Sequence, residues 1–363
     1  MHQILAALHM TAAMAWQLLW ALILGFLLSA VVQAAVSKQK IKKLLPDSSP
    51  KSLAVACGLG AASSSCSYAA VALTRSMINK GADFTAAMAF EMASTNLVVE
   101  LGIILTVLMG YRFMLAELIG GPLMVAIMAT LFRFLVSDRL VKAAREQAGR
   151  NVPGKMEEHA AMDMTAISHS FVMDWISIWK DIAAGLLLAG LIGTFVPASF
   201  WRGFFLQGHP TLAKLWGPAV GPVIAIFSFV CSVGNVPLAA TLWNGGISFG
   251  GVVSFLFADL IVLPILNIYR KYYGLRMTAA ILGIFYASMV AASLAIELGF
   301  SALGLIPEHG QAKVAPAGFE LNYTTFLNLG FLLIAAAVVW RFFKTGGPSM
   351  LRKGAMAGGG HHR

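Results

Sequence analysis

CSYAAVALTRSMINKGADFTAAMAFEMASTNLV at residues 66–98 and CSVGNVPLAATLWNGGISFGGVVSFLFADLIVL at residues 231–263 read as one segment written twice. At an offset of 165 without a gap, nine of the 33 positions are identical. They are Cys66/Cys231, Ser67/Ser232, Val71/Val236, Leu73/Leu238, Asn79/Asn244, Gly81/Gly246, Phe84/Phe249, Phe90/Phe255 and Ala93/Ala258. Apolar filler agrees by chance, but a Cys-Ser pair, an Asn and a Gly two residues later do not. Each copy sits at a break in an apolar run: GLGAASSSCS at 58–67, then GPAVGP at 217–222 followed by CSVGN at 231–235. A lipid-facing helix does not favour such breaks, whereas a hairpin buried among other helices tolerates them.

Outward from these segments the chain is built for a bilayer. Of its 363 residues 58% are hydrophobic and 12% charged, against roughly 45–50% and 25% in soluble domains. Its 35 glycines stand mostly inside apolar segments, as where membrane helices pack closely or break. The net charge of +10 comes from Lys and Arg at segment ends, so it reports topology rather than nucleic-acid binding. Three cysteines, all in apolar segments, give no secreted disulfide framework. The N-terminal run lacks a basic start and continues to about Val36, which reads as a retained span rather than a cleaved signal.

The apolar runs predict spans near 14–36, 84–110, 113–136, 175–197, 247–268, 277–299 and 324–343. Basic clusters follow the first (Lys38, Lys40, Lys42, Lys43), the third (Arg139, Lys142, Arg145, Arg150), the fifth (Arg270, Lys271, Arg276) and the last (Lys344, Arg352, Lys353), and all are expected in the cytoplasm. That holds together only if 52–80 and 216–245 each enter and leave on one side. The expected fold is therefore an all-α polytopic membrane protein: two inverted-topology repeats, each with a broken re-entrant hairpin, plus a final transmembrane helix. Two ordinary kinked spans are the alternative for the hairpins. The expected divisions are a first membrane repeat (1–137), a cytoplasmic connector loop (138–174), a second membrane repeat (175–300), and an outer loop, last transmembrane helix and cytoplasmic tail (301–363). The N-terminus is expected outside and the C-terminus in the cytoplasm. The connector carries Met156, Glu157, Glu158, His159, Met162, Asp163, Met164 and His169, types that can bind a soft metal ion. They lack fixed ligand spacing and read as a solvated linker.

Inverted repeats with broken helices are a transporter arrangement, with the substrate near the midplane where half-helix ends and freed backbone groups converge. The two segments resemble the twin motifs of the ArsP-type permease family, over roughly 14–300. The resemblance implies an inner-membrane permease exporting a small thiol-reactive compound, in the family's characterised members a trivalent organoarsenical. Where many members read Cys-Ser-Cys and then Pro four residues on, this chain has Tyr68 and Val233 for the second cysteine, and Pro237 but Ala72. It therefore lacks a vicinal thiol pair within one hairpin.

Cys66 and Cys231 head the hairpin motifs, and two soft thiolates suit a thiophilic substrate; packing at a tight helix crossing is the competing reading, and the favoured one for Cys57. Ser65, Ser67, Ser232 and Asn235, with Ser63, Ser64 and Gly234, offer polar groups at the breaks, either to substrate or to freed backbone. Thr95 and Asn96 are expected beside them. Intramembrane acids are suspects for function. Glu91, Glu100 and Asp259 are the candidates for proton coupling, Glu91 sharing a face with Thr95 and Asp259 taking the repeat position of Ser94. Asp181, Glu117 and Glu297, nearer span ends, read as structural. Trp243, at the second hairpin's exit, reads as an interfacial anchor, with a gate as the alternative. No cofactor is expected, and the partners expected are a small-molecule substrate and the lipid bilayer, with no nucleic acid. The alternatives are a transporter of another small solute or soft metal ion, or a membrane-embedded enzyme or assembly factor. Against an enzyme, the sequence has no HExxH, P-loop or dinucleotide fingerprint.

Overall fold

A computed structural model describes residues 2–35, 38–63, 67–150, 164–195, 210–228, 232–308 and 323–347. Every regular element among them is helical, as hydrocarbon demands of a chain that must satisfy its own backbone. The first half comprises α1 (His2–Ala35), α2 (Lys38–Leu44), α3 (Pro50–Ser63), α4 (Ser67–Asn79), α5 (Phe84–Asn96), α6 (Val99–Leu108) and α7 (Tyr111–Leu135), followed by α8 (Asp138–Arg150). The second comprises α9 (Met164–Phe195), α10 (Pro210–Ser228), α11 (Ser232–Asn244), α12 (Phe249–Phe257), a 3-10 turn (Ala258–Leu260), α13 (Leu263–Tyr273), α14 (Leu275–Ala302) and α15 (Tyr323–Lys344).

Four stretches are long and apolar enough to cross a bilayer: Phe84–Leu108, Tyr111–Leu135, Leu275–Ala302 and Thr324–Lys344. The pair Phe249–Leu260 and Leu263–Tyr273, bent by 40°, makes a fifth. Their outer faces are apolar, with Phe326, Leu333 and Trp340 exposed along α15. This is a multi-pass membrane protein. The long helices α1 and α9 pack along each other, with the Phe26 ring edge-on to Trp175 at 5.2 Å.

Two runs expected as single spans are broken. The 84–110 run is α5 and α6, interrupted where Val98 turns extended (φ −95°, ψ 141°). The 247–268 run is α12, the 3-10 turn and α13, with Val262 extended (φ −65°, ψ 148°) and Pro264 in the first turn of α13. Proline has no N–H to continue the preceding helix, so it starts a new one. The connector also departs from a solvated linker. It contains α8 and the opening turns of α9, and α8 is pinned to both halves. Arg75 Nη2 on α4 donates to Ala148 O (3.0 Å), Arg145 to Ala82 O (2.7 Å), and Gln147 Nε2 to Arg270 O (3.1 Å). Of the connector's suggested metal ligands, Met156 to Asp163 lie outside the described residues. His169 is bonded to Thr345 (2.9 Å) and edge-on to Phe342.

The chain arrives at α3 and leaves α4 at one place, since Asp83 N–H bonds Leu45 O (2.9 Å) and Lys42 lies against Gly81. In the second half Gly217, two turns into the described part of α10, lies against Ser248, the N-cap of α12 that follows α11. Helix α7 connects these two mouths. Phe113 in its first turn is edge-on to Trp243 at the end of α11 (5.2 Å), and Phe132 in its last turn meets Phe84 at the start of α5 (6.0 Å). With a rise of 1.5 Å per residue the mouths are about 28 Å apart along α7. Element bounds recur at the sequence offset: α4 and α11 end at Asn79 and Asn244, while α5 and α12 begin at Phe84 and Phe249. The preceding turns are made by Gly81 (φ 94°) and Gly246 (φ 92°), a left-handed conformation open to glycine at little cost.

Candidate functional site

The discontinuities meet in a buried polar centre. Ser67, the first described residue of α4, donates to Asp259 Oδ2 in the 3-10 turn of the other half at 2.7 Å, and both residues are buried. Asp259 stands there because α12 loses its α-helical pairing at Phe257, five residues before the extended backbone of Val262. Nearby, Glu91 on α5 accepts a hydrogen bond from the Tyr269 hydroxyl of α13, with Thr74 of α4 alongside. Asp259 lies within electrostatic reach of both Glu91 and Glu117. A first-half serine thus binds a second-half acid, and a second-half tyrosine binds a first-half acid. Arg75 stacking over Tyr272 at 4.1 Å ties α4 to α13 beside them.

The end of α5 spends its donors internally. Ser94 and Thr95 hydroxyls donate to Glu91 O (2.8 Å) and Met92 O (3.2 Å), and the Asn96 amide donates to Met92 O and Thr95 Oγ1 (both 3.1 Å). Such back-bonding holds the last turn before the break. Asn96 Oδ1 keeps no partner, nor do the amide nitrogen and oxygen of Asn235, fully buried in the first turn of α11. A buried amide without partners costs free energy until a ligand or water supplies them.

Of the residues singled out by sequence, Ser67, Glu91 and Asp259 come together, with Thr95 and Asn96 at the adjacent break. Asn235 is buried in α11. Cys66, Cys231, Ser64 and Ser65 lie outside the described residues, and the side chains of Ser232, Glu100 and Asp181 are likewise not described. Cys57 is half-buried against the core, in keeping with packing. Glu297 accepts the Gly250 N–H, a structural role as read. Glu117 needs correction: it is buried, and neither carboxylate oxygen has a partner. Trp243 is a correction too, since it is 1% exposed between Phe113 and Phe249, a core ring rather than an interfacial anchor. Sequence reasoning missed Tyr269. Its one signal was an aromatic hydroxyl among the apolar residues at the start of α13, because a buried Tyr O–H generally finds a partner.

Carboxyl groups placed between two helix bundles, away from water, are stable with a proton, a donor or a cationic ligand, and costly otherwise. That chemistry suits the movement of a solute or a proton through the bundle. The model of a family described as predicted permeases, ArsP_1, matches residues 3–298 of this chain. The chain belongs to the ArsP_1 family. The "Putative permease Rv2963" of Mycobacterium tuberculosis is 59% identical over 335 residues, covering 87% of this chain and 82% of that relative. No solved structure matches. The buried acids and opened helices of this permease therefore belong to a membrane transporter.

Proposed function

We propose that this permease exports small thiophilic compounds, trivalent organoarsenicals first among them, out of the cytoplasm across the bacterial inner membrane in exchange for protons. The observation that carries the reading is the Ser67–Asp259 hydrogen bond. Cys66 precedes Ser67 in the chain, so a soft ligand held by that thiolate sits one residue from the hydrogen-bond partner of a buried acid. Cys231 precedes Ser232 in the same way, and a thiolate from each half suits a thiophilic centre.

Exchange follows from the chemistry of the acid. An ionised Asp259 accepts a charge-assisted bond from Ser67 and fastens the first hairpin to the second half. A proton on Asp259 weakens that bond and frees the hairpin tip; its loss restores the clasp. Glu91, clasped by Tyr269, is the second acid so placed. The two mouths at opposite ends of α7, and elements recurring 165 residues apart, support an inverted repeat with alternating access. Lys42, Arg145 and Arg270 gather at the first mouth, which supports a cytoplasmic position for it and for the C-terminus, with the N-terminus outside.

The test is the resistance and arsenic content of cells challenged with trivalent methylarsenite. Cells with the wild type are expected to survive with lower accumulation, and cells with Cys66→Ala/Cys231→Ala at equal protein level to lose that protection. No protection by well-expressed wild type would remove the organoarsenical assignment.

A further inference from the structure

A groove of about 390 Å³ runs between α6 and α7. Its walls are Val99, Ile103, Val107 and Leu118, all more than half exposed, on helices that cross the bilayer, so it opens sideways to lipid. Glu117 and Asn96 also line it, 3% and 2% exposed. Both oxygens of Glu117 and Oδ1 of Asn96 lack a hydrogen-bond partner. The side-chain donors of the lining are already used, the Asn96 amide on Met92 O and Thr95, and the Thr106 hydroxyl on Gly102 O at 2.7 Å. No Lys or Arg lines the groove. Three buried acceptors therefore face an apolar slot, with no side-chain donor of the lining left to meet them.

We propose that this groove is a binding site for single-chain amphiphiles carrying a protonated primary amine, taken up laterally from the bilayer. A primary ammonium has three donors and one positive charge, the complement of a carboxylate plus one amide oxygen. The apolar body lies along the exposed walls. Glu117 is about 9 Å along α7 from Tyr111, deeper than a headgroup, and it repels a lipid phosphate, which favours a single-chain amine over phosphatidylethanolamine. The site depends only on the chain spanning the membrane, not on which compound is exported, so its failure leaves the export reading untouched.

The full chain in phosphatidylcholine nanodiscs is titrated with radiolabelled n-dodecylamine, with empty nanodiscs as the blank and n-dodecanol as the uncharged control. One saturable amine site per chain is expected, weakened at least about tenfold in Glu117→Gln, where the charge is lost but the shape kept. Ile103→Trp, on the exposed wall, fills the slot without touching the core and is expected to abolish binding. Unchanged affinity in Glu117→Gln, equal binding of dodecanol, or displacement of the amine by phosphatidylethanolamine would each overturn the proposal.

Discussion

At the residue scale, the clasp between the halves is two hydrogen bonds, Ser67 to Asp259 and Tyr269 to Glu91. A double-mutant cycle of Ser67→Ala and Asp259→Asn should give a coupling of about 1 kcal/mol in detergent unfolding, since the bond is buried. Tyr269→Phe should cost about 1–3 kcal/mol by leaving a buried carboxylate oxygen unmet, read as a lower Tm. At the first mouth, Asp47 accepts bonds from Ser52 Oγ (2.7 Å) and Ser49 N–H (3.0 Å), with its carboxyl held below the ordinary value by Ser49 and Ser52. A depressed value means this bracing of the start of α3 is present at neutral pH and lost as pH falls through the acid range. Amide protection factors in that turn, with the intrinsic pH dependence of exchange divided out, should fall on acidification. The acids were legible because charge in an apolar run is expensive. Glu117 was misjudged because distance from a span end says nothing about which neighbours face a side chain.

At the element scale, close approach of helices depends on glycines that differ within a single turn. A methyl on Gly60 would lie 2.5 Å from Phe90 O and 2.9 Å from Ser94 N, whereas one on Gly58 meets nothing within 4 Å. Gly60→Ala should push α3 off α5 and cost about 1–3 kcal/mol. Gly58→Ala should stabilise by up to about 1 kcal/mol through helix propensity alone. Thermal unfolding of the two variants side by side checks the opposite signs. The spans were legible from apolar runs, their breaks less so. Pro264 announces the second break, but Leu97–Val98 carries no turn residue, and only packing shows that the helix stops there. Helix α8 read as a linker because its charges mark a solvated face, while Arg145 and Gln147 instead reach carbonyls of both halves.

At the scale of the whole molecule, the duplication visible in Cys-Ser, Asn and Gly at an offset of 165 carries through to helices starting at the same offset. Sequence could not say that the copies meet at their breaks, because that contact joins residues 192 positions apart. The topology can be read directly with a membrane-impermeant maleimide on intact cells. Lys80→Cys, at the first mouth, should stay unlabelled until the cells are opened. Glu308→Cys, near the start of α7 where Arg112 donates to Ile306 O, should label from outside. The measurement closest to the central claim is uptake of trivalent methylarsenite by everted membrane vesicles, with and without an interior-acid pH gradient. The wild type should accumulate the arsenical only with the gradient, lose it on addition of a protonophore, and respond to neither once Asp259→Asn is introduced. Wild-type uptake indifferent to the gradient, or an Asp259→Asn variant that follows it as the wild type does, would contradict proton-coupled export through this site.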